Sequence, residues 1–356
     1  MFKTYDSSLN PFMPTLHSAF DDISFEGKDV SPRMSLEVRA ICFFNWIKMN
    51  FTQNEEGDFF YESASPFEFT DILNSTKQEN HQVFGTLILP EEKKDSYPLV
   101  ICMHGSMGWG ISSQDHSINF LENGFAIFKV HSFESRNVKT IYQDQMQVTV
   151  SMSLTDCYEA LKHLSHHPKI QKNNIFIAGW SFGGSTAVYA AWEPLAEKLA
   201  PNGERFKGFL AFYPGAYVWP EEMRWNKNPI LSLIGKDDDY TPSILIENLS
   251  EAINDSGGNS SVILYENSHH SFDRVDPVKF LPDAIALSNK PSKIDKNGNL
   301  YFESDSGERF EMNTPEGRLK LIESGSAPIG ASLGRNWNAR KSSFKDSINF
   351  LKNNLS

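Results

Sequence analysis

From about His81 to Phe272 two kinds of hydrophobic pattern take turns along the chain. Residues 81–90 (HQVFGTLILP) alternate and then run apolar, and Tyr97–Met103 (YPLVICM) is almost continuously apolar. Further short runs follow at 125–130 (FAIFKV), 174–178 (NIFIA), 206–213 (FKGFLAFY), 229–234 (PILSLI) and 262–265 (VILY). Strands covered on both faces read this way, because neither side meets water. Between the runs, Val150, Leu154, Cys157, Leu161 and Leu164 recur three or four apart, which puts them on one stripe of a helix. A small-residue helix carrying Ala187, Ala190 and Ala191 follows 174–178, and a last helix at about 339–355 closes the chain. Strands alternating with helices predict an α/β fold with a mostly parallel central sheet flanked by helices.

Two regions break the alternation. Residues 1–80 open on a mixture of Pro, Ser and Asn, yet 40–51 (AICFFNWIKMNF) is too aromatic to stay in water, so the segment is expected to be an N-terminal extension packing on a core domain of residues 81–356. Residues from about 275 to 335 hold the turn signals Asn297-Gly298 and Ser306-Gly307, flanking apolar stretches at 300–303 and 309–312, which predicts a β-hairpin insertion.

A formal net charge of −12 repels polyanions on average, which argues against a nucleic-acid partner. Cys42, Cys102 and Cys157 are odd in number, far apart and set among apolar residues, as reduced core residues are. The first ten residues lack the basic start and apolar stretch of a secretory signal, and no window reaches the ~18 apolar residues of a membrane span. A cytoplasmic protein without membrane contact is the expectation, and a homo-oligomer is left open.

The sharpest chemical signal is Gly179-Trp180-Ser181-Phe182-Gly183-Gly184, a G-x-S-x-G sequence that follows a predicted strand and opens a predicted helix. Small residues flank the serine because a side chain there would meet neighbouring backbone. A hydroxyl is a weak nucleophile near neutrality, so a base must take its proton, and histidine suits that task. Two histidines, His269 and His270, follow the strand at 262–265, and three aspartates, Asp237, Asp238 and Asp239, follow the strand at 229–234. The order serine, acid, histidine along the chain is that of α/β-hydrolases. Backbone amides aimed at a tetrahedral oxyanion complete such a site. The amide of Phe182 is one candidate, and that of Ser106, or next Met107, in His104-Gly105-Ser106-Met107-Gly108 is the other.

The motifs His104 to Gly108, Ser132-Phe133-Glu134-Ser135-Arg136, Gly179 to Gly184, Gly235 to Pro242 and His270-x-Phe272 stand in one order. In that order, and together with the closing helix, the chain resembles the dienelactone hydrolase family of the α/β-hydrolase fold. The resemblance implies Asp238 as the acid, four residues before Pro242 in the family's Asp-x-x-x-Pro pattern, and His270 over His269 as the base from its His-x-Phe pattern. The founding dienelactone hydrolases carry a cysteine nucleophile where this chain has Ser181, which is typical of the family's serine esterase relatives.

Trp180, Trp109 and Met107 are candidates for an apolar acyl pocket, though aromatics beside a motif are usually core. Arg136 and Glu134 lie on a loop expected near the pocket and are candidate substrate contacts, the arginine as a bidentate grip on a substrate carboxylate, although a structural salt bridge is the more ordinary use of such residues. His163, His166 and His167 lack the companions of a metal site, and residues 295–299 put their glycine two places too early for a calcium loop. No metal and no cofactor are assigned. The expected activity is hydrolysis of a small-molecule carboxylic ester through an acyl-enzyme, with a peptidase or amidase on the same fold, or a non-catalytic binding protein, as alternatives.

Overall fold

The computed structural model describes residues 55–356, so the aromatic stretch 40–51 and Cys42 lie outside the described residues. The chain enters the core through strand β1 (Gly57–Ala64), a one-turn helix α1 (Phe69–Leu73) and β2 (Asn80–Ile88). Next come β3 (Tyr97–Met103), α2 (Ile111–Glu122), β4 (Ala126–Val130), α3 (Val150–Leu164) and β5 (Ile170–Trp180). After β5 follow α4 (Phe182–Tyr189), α5 (Glu193–Leu199), β6 (Phe209–Phe212), a short β7 (Val218–Pro220), β8 (Ile230–Gly235), α6 (Ser243–Asp255) and β9 (Ser260–Tyr265).

Eight of these strands form one sheet in the order β1-β2-β4-β3-β5-β6-β8-β9. Pairing is antiparallel between β1 and β2 and between β2 and β4, and parallel from β4 onward. Each apolar run read from the sequence lies on one of these strands. The run at 206–213 contracts to the four residues of β6, all buried. Edge strand β1 alternates in burial and lies within the stretch read as an extension. Helix α3 is buried almost all round instead of on one stripe, because it lies against β1, β3 and α4 together. Helix α2 escapes an apolar reading because Ser113, His116 and Ser117 share its buried face with Phe120.

The segment after β9 holds more than a hairpin. It runs through β10 (Lys279–Ile285), β11 (Ser292–Ile294), β12 (Leu300–Glu303), β13 (Arg309–Glu311), α7 (Pro315–Glu323) and β14 (Ile329–Leu333) to the closing helix α8 (Trp337–Asn353). The predicted stretches at 300–303 and 309–312 do pair antiparallel, with Gly307 in the turn at a φ of 84°. Asn297-Gly298 turns instead from β11 into β12, and β11 lies parallel to β7, giving a second sheet in the order β13-β12-β11-β7. Strands β10 and β14 form a separate antiparallel ribbon. Among the described residues no helix is long and apolar enough to cross a membrane.

Candidate active site

Ser181 occupies the single residue between β5 and α4, with φ 55° and ψ −110°. That backbone is disfavoured for a residue with a side chain, by about 1–3 kcal/mol, and it persists because both peptide neighbours are pinned. Its N–H donates to the Phe212 carbonyl on β6 (2.9 Å), and its carbonyl accepts the Ser185 N–H inside α4 (2.9 Å). The glycines around it follow from close approach. A methyl group on Gly179 would sit 1.9 Å from the Gly183 carbonyl oxygen, and one on Gly183 would sit 2.2 Å from that of Met103 on β3. Strand, helix and neighbouring strand therefore meet backbone to backbone, and only glycine lets them.

His270 comes from the loop between β9 and β10. Its main-chain carbonyl accepts the Gly334 N–H just past β14 (3.0 Å), so the returning end of the insertion tethers this loop. The imidazole is buried, with the rings of Tyr213 and Tyr240 each 4.8 Å away. Its Nε2 lies 2.8 Å from Ser181 Oγ and its Nδ1 lies 2.8 Å from Asp238 Oδ2. An ionised carboxylate only accepts, so the Nδ1 proton points to Asp238 and the Nε2 lone pair faces the serine hydroxyl.

Of the three aspartates after β8, Asp238 alone is buried. Its Oδ1 accepts the N–H groups of Tyr240 (3.0 Å) and Thr241 (2.8 Å), which aims Oδ2 at the imidazole. Asp237 is exposed, and its main-chain carbonyl accepts from His269 Nδ1 (3.0 Å). Asp239 Oδ1 accepts the Ser332 N–H of β14 (2.7 Å). Thr241 Oγ1 stands 3.2 Å from Asp238 Oδ2 and 3.1 Å from His270 Nδ1, a third contact on the pair. Thr241 and Tyr240 lie inside the Asp-x-x-x-Pro stretch, so the motif that selected the acid could have pointed to them too.

After β3 the chain makes a tight turn in which the Gly108 N–H donates to the Gly105 carbonyl (2.9 Å). The Ser106 carbonyl is held by the Ile141 N–H (2.8 Å) and the Thr140 hydroxyl (3.0 Å). In a planar trans peptide the Met107 N–H then faces the opposite way. Phe182, first residue of α4, has an N–H without an intrahelical partner. Behind the turn, His104 donates from Nδ1 to the Gly105 carbonyl (3.0 Å) and packs on Phe133. Burial pulls its pKa down to about 4, so this ring stays neutral.

Two cavities meet at Ser181. One, of about 70 Å³, is bordered by Ser106, Met107, Trp180, Tyr213, Tyr240 and His270. The other, of about 500 Å³, also touches Ser106 and Tyr240 and then extends under the insertion. Trp180 is almost wholly buried and stacked on Phe212, so it reaches the site only as a wall of the smaller cavity. Trp109 borders neither cavity and packs edge-on against His104 and His131.

The reading of Arg136 and Glu134 as substrate contacts is corrected by the structure. Every N–H of the Arg136 guanidinium is taken. Nε donates to Ser65 Oγ (3.2 Å), one terminal nitrogen to Asp156 Oδ2 (2.7 Å) and the Ser132 carbonyl (3.1 Å), and the other to Asp156 Oδ1 (3.1 Å) and the Ala64 carbonyl (3.1 Å). No donor is left for a substrate. Glu134 lies beside His131 Nδ1 (3.6 Å) and borders neither cavity.

The parallel sheet and the strained serine turn define an α/β hydrolase. The dienelactone hydrolase family matches residues 84–290, more than half of the chain, and the chain belongs to that family. Among solved structures it is similar to a propionate-bound esterase from the planctomycete Thermogutta terrifontis, at 16% identity and a TM-score of 0.44, covering 54% of this chain and 80% of that one. It is similar also to a dienelactone hydrolase-like promiscuous phosphotriesterase from metagenomic libraries, at 14% identity and a TM-score of 0.47, covering 84% of this chain and all of that one. No curated protein matches the chain.

Proposed function

We propose that the protein hydrolyses carboxylic esters of small molecules through Ser181, His270 and Asp238. Ser181 Oγ attacks the carbonyl carbon while His270 Nε2 takes its proton, and Asp238 steadies the imidazolium that forms. The amides of Phe182 and of Met107 or Ser106 receive the oxyanion, a contribution of about 3 kcal/mol for each donor well placed. Collapse breaks the bond to the alcohol oxygen, which leaves with the proton from Nε2. Water then attacks the acyl-serine, gives a proton to the same nitrogen and releases the acid, and Ser181 recovers its hydrogen. No cofactor enters these steps. We also place the protein in the cytoplasm, a reading supported by Cys102 and Cys157 being free, buried thiols.

The observation that carries the reading is the relay of two 2.8 Å contacts through His270, with the serine held at a φ of 55° on the turn from β5 into α4. Ser181→Ala should lower kcat on p-nitrophenyl esters by at least ~10³ and abolish labelling by a fluorophosphonate, with an unchanged circular dichroism spectrum. Turnover retained by the folded variant would refute the assignment.

A further inference from the structure

Ser181 stands where two cavities of very unequal size meet. Among the described residues His270 borders the smaller, of about 70 Å³, and does not border the larger, of about 500 Å³. We infer that the larger cavity receives the acyl part of the ester and the smaller receives the alcohol, so that the substrates are esters of a bulky, uncharged, apolar acid with a short alcohol. The inference rests on the ester-hydrolase reading above and adds the side on which each half of the substrate lies.

Proton transfer fixes the direction. The oxygen that departs must take its proton from His270 Nε2, so the alkoxy group lies on the imidazole side of Ser181. That cavity is small and open to solvent on one side, so an alkoxy group gains buried contact over only its first atoms, which suits a methoxy or ethoxy group and gives a longer alcohol no further reward. The carbon on the other side of the carbonyl then faces the larger cavity, whose volume falls within the ~300–1,000 Å³ of small-molecule sites.

The lining of that cavity defines the chemistry it accepts. The insertion brings Ile285, Leu287, Leu300, Phe302 and Ile322 to it, from β10, the β10–β11 connection, β12 and α7. Two cations also border it, and both are already engaged. Arg318 donates to Glu68, a buried carboxylate that caps α1, and its guanidinium lies 4.6 Å over the Phe67 ring. Lys290 Nζ is 2.9 Å from Asp305. Glu68 and Asp144 border the cavity as well, so a substrate carboxylate meets no cation without a counter-charge nearby, whereas an alkyl or aryl group needs only the apolar wall. Each buried methylene then raises kcat/KM by up to about fourfold.

Ethyl octanoate and octyl acetate are isomers that exchange the long and short halves, so comparing kcat/KM on the two isolates orientation from overall hydrophobicity. Ethyl octanoate should be the better substrate by at least ~10-fold. Ile322→Trp, which fills part of the larger cavity from α7, should lower the ratio of kcat/KM on ethyl octanoate to kcat/KM on ethyl acetate by ~10-fold or more. Octyl acetate hydrolysed as fast or faster overturns the orientation, and so does an Ile322→Trp enzyme that loses both ethyl esters equally or neither. Absence of ester turnover together with absence of fluorophosphonate labelling overturns the hydrolase reading and this inference with it. Labelling accompanied by a preference for octyl acetate overturns the inference alone.

Discussion

The sheet that carries Ser181 and the insertion that roofs it differ in how tightly each is held. Around the serine, backbone meets backbone so closely that three elements admit no side chain where glycine stands. In the insertion, α7 has no fully buried residue, β10 buries only Ala284, and Phe280 and Ile329 on the β10–β14 ribbon are more than half exposed. The difference follows from what each part has to do. Proton transfer needs donor and acceptor within hydrogen-bond reach, so the reacting groups sit on elements that cannot shift. A roof over an apolar cavity needs only to exclude water and supply surface, and it can be made of thinly packed pieces that open at low cost. The insertion does touch the chemistry at its far end, where Gly334 and Ser332 bond to His270 and Asp239.

If the sheet is the rigid part, a polar deletion within it is costly. Asp156, fully buried on α3, binds Arg136 through both oxygens and also accepts the hydroxyls of Ser63 on β1 and Ser132 after β4. Asp156→Ala leaves a buried guanidinium without its counter-charge and should cost about 3–5 kcal/mol of stability, read as a fall in the urea midpoint. A loss below ~1 kcal/mol would mean that the cluster does not hold β1, the post-β4 loop and α3 together.

A smaller effect concerns acid. The pKa of His104 is depressed to about 4 by burial, against about 6.5 in the unfolded chain. A depressed folded-state pKa makes the unfolded state bind more protons as pH falls. The stability contributed by the neutral ring is therefore complete above about pH 6.5 and is lost progressively as pH falls through about 4, up to about 3 kcal/mol. His163, also depressed to about 4 by burial, adds to the same decline. His104→Asn keeps a donor for the Gly105 carbonyl and removes the titration, so its stability between pH 6.5 and pH 4 should fall less steeply than that of the wild type. Parallel urea midpoints across that window would assign the acid loss elsewhere.

What could be read from the sequence follows the same division. Strands β3, β4, β6, β8 and the second half of β5 were legible because burial on both faces leaves nearly uninterrupted apolar runs, edge strand β9 was legible from its apolar run although it is only partly buried, and the serine turn was legible because its glycines are dictated by contact. Helix α2 was not, since it buries Ser113, His116 and Ser117 where a pattern reader expects apolar residues. The partner of Arg136 was not legible, because a guanidinium that reaches a buried carboxylate through tertiary contacts looks, in one dimension, like one free to bind a ligand. The insertion yielded its turns but not its partners. The pairing of β11 with β7 joins residues more than seventy positions apart, and nothing local to Ser292–Ile294 encodes it. Nor does any local pattern encode the cavity, whose lining is collected from stretches scattered between Glu68 and Pro328.

The smallest effect falls within the insertion itself. Asp295 Oδ1 accepts the N–H groups of Asn297 and Asn299 (2.9 Å each), and Oδ2 accepts from the Asn299 side chain (2.9 Å), so one exposed carboxylate shapes the turn between β11 and β12. These bonds, those from Asn299 first, hold its pKa below the usual aspartate range. Their support is present above the unfolded value of about 3.9 and fades as pH falls through the lower folded value. If the insertion is a separately yielding layer, Asp295→Ala should release the amides of Asn297 and Asn299 to fast hydrogen exchange at neutral pH while the amides of β3 and β5 stay protected and the global melting temperature holds. Substrate selectivity should respond before turnover does, because Leu300 and Phe302 on β12 border the larger cavity whereas the Ser181–His270 contact is built elsewhere. A uniform loss of protection through sheet and insertion alike would mean that the roof and the reacting centre unfold as one unit.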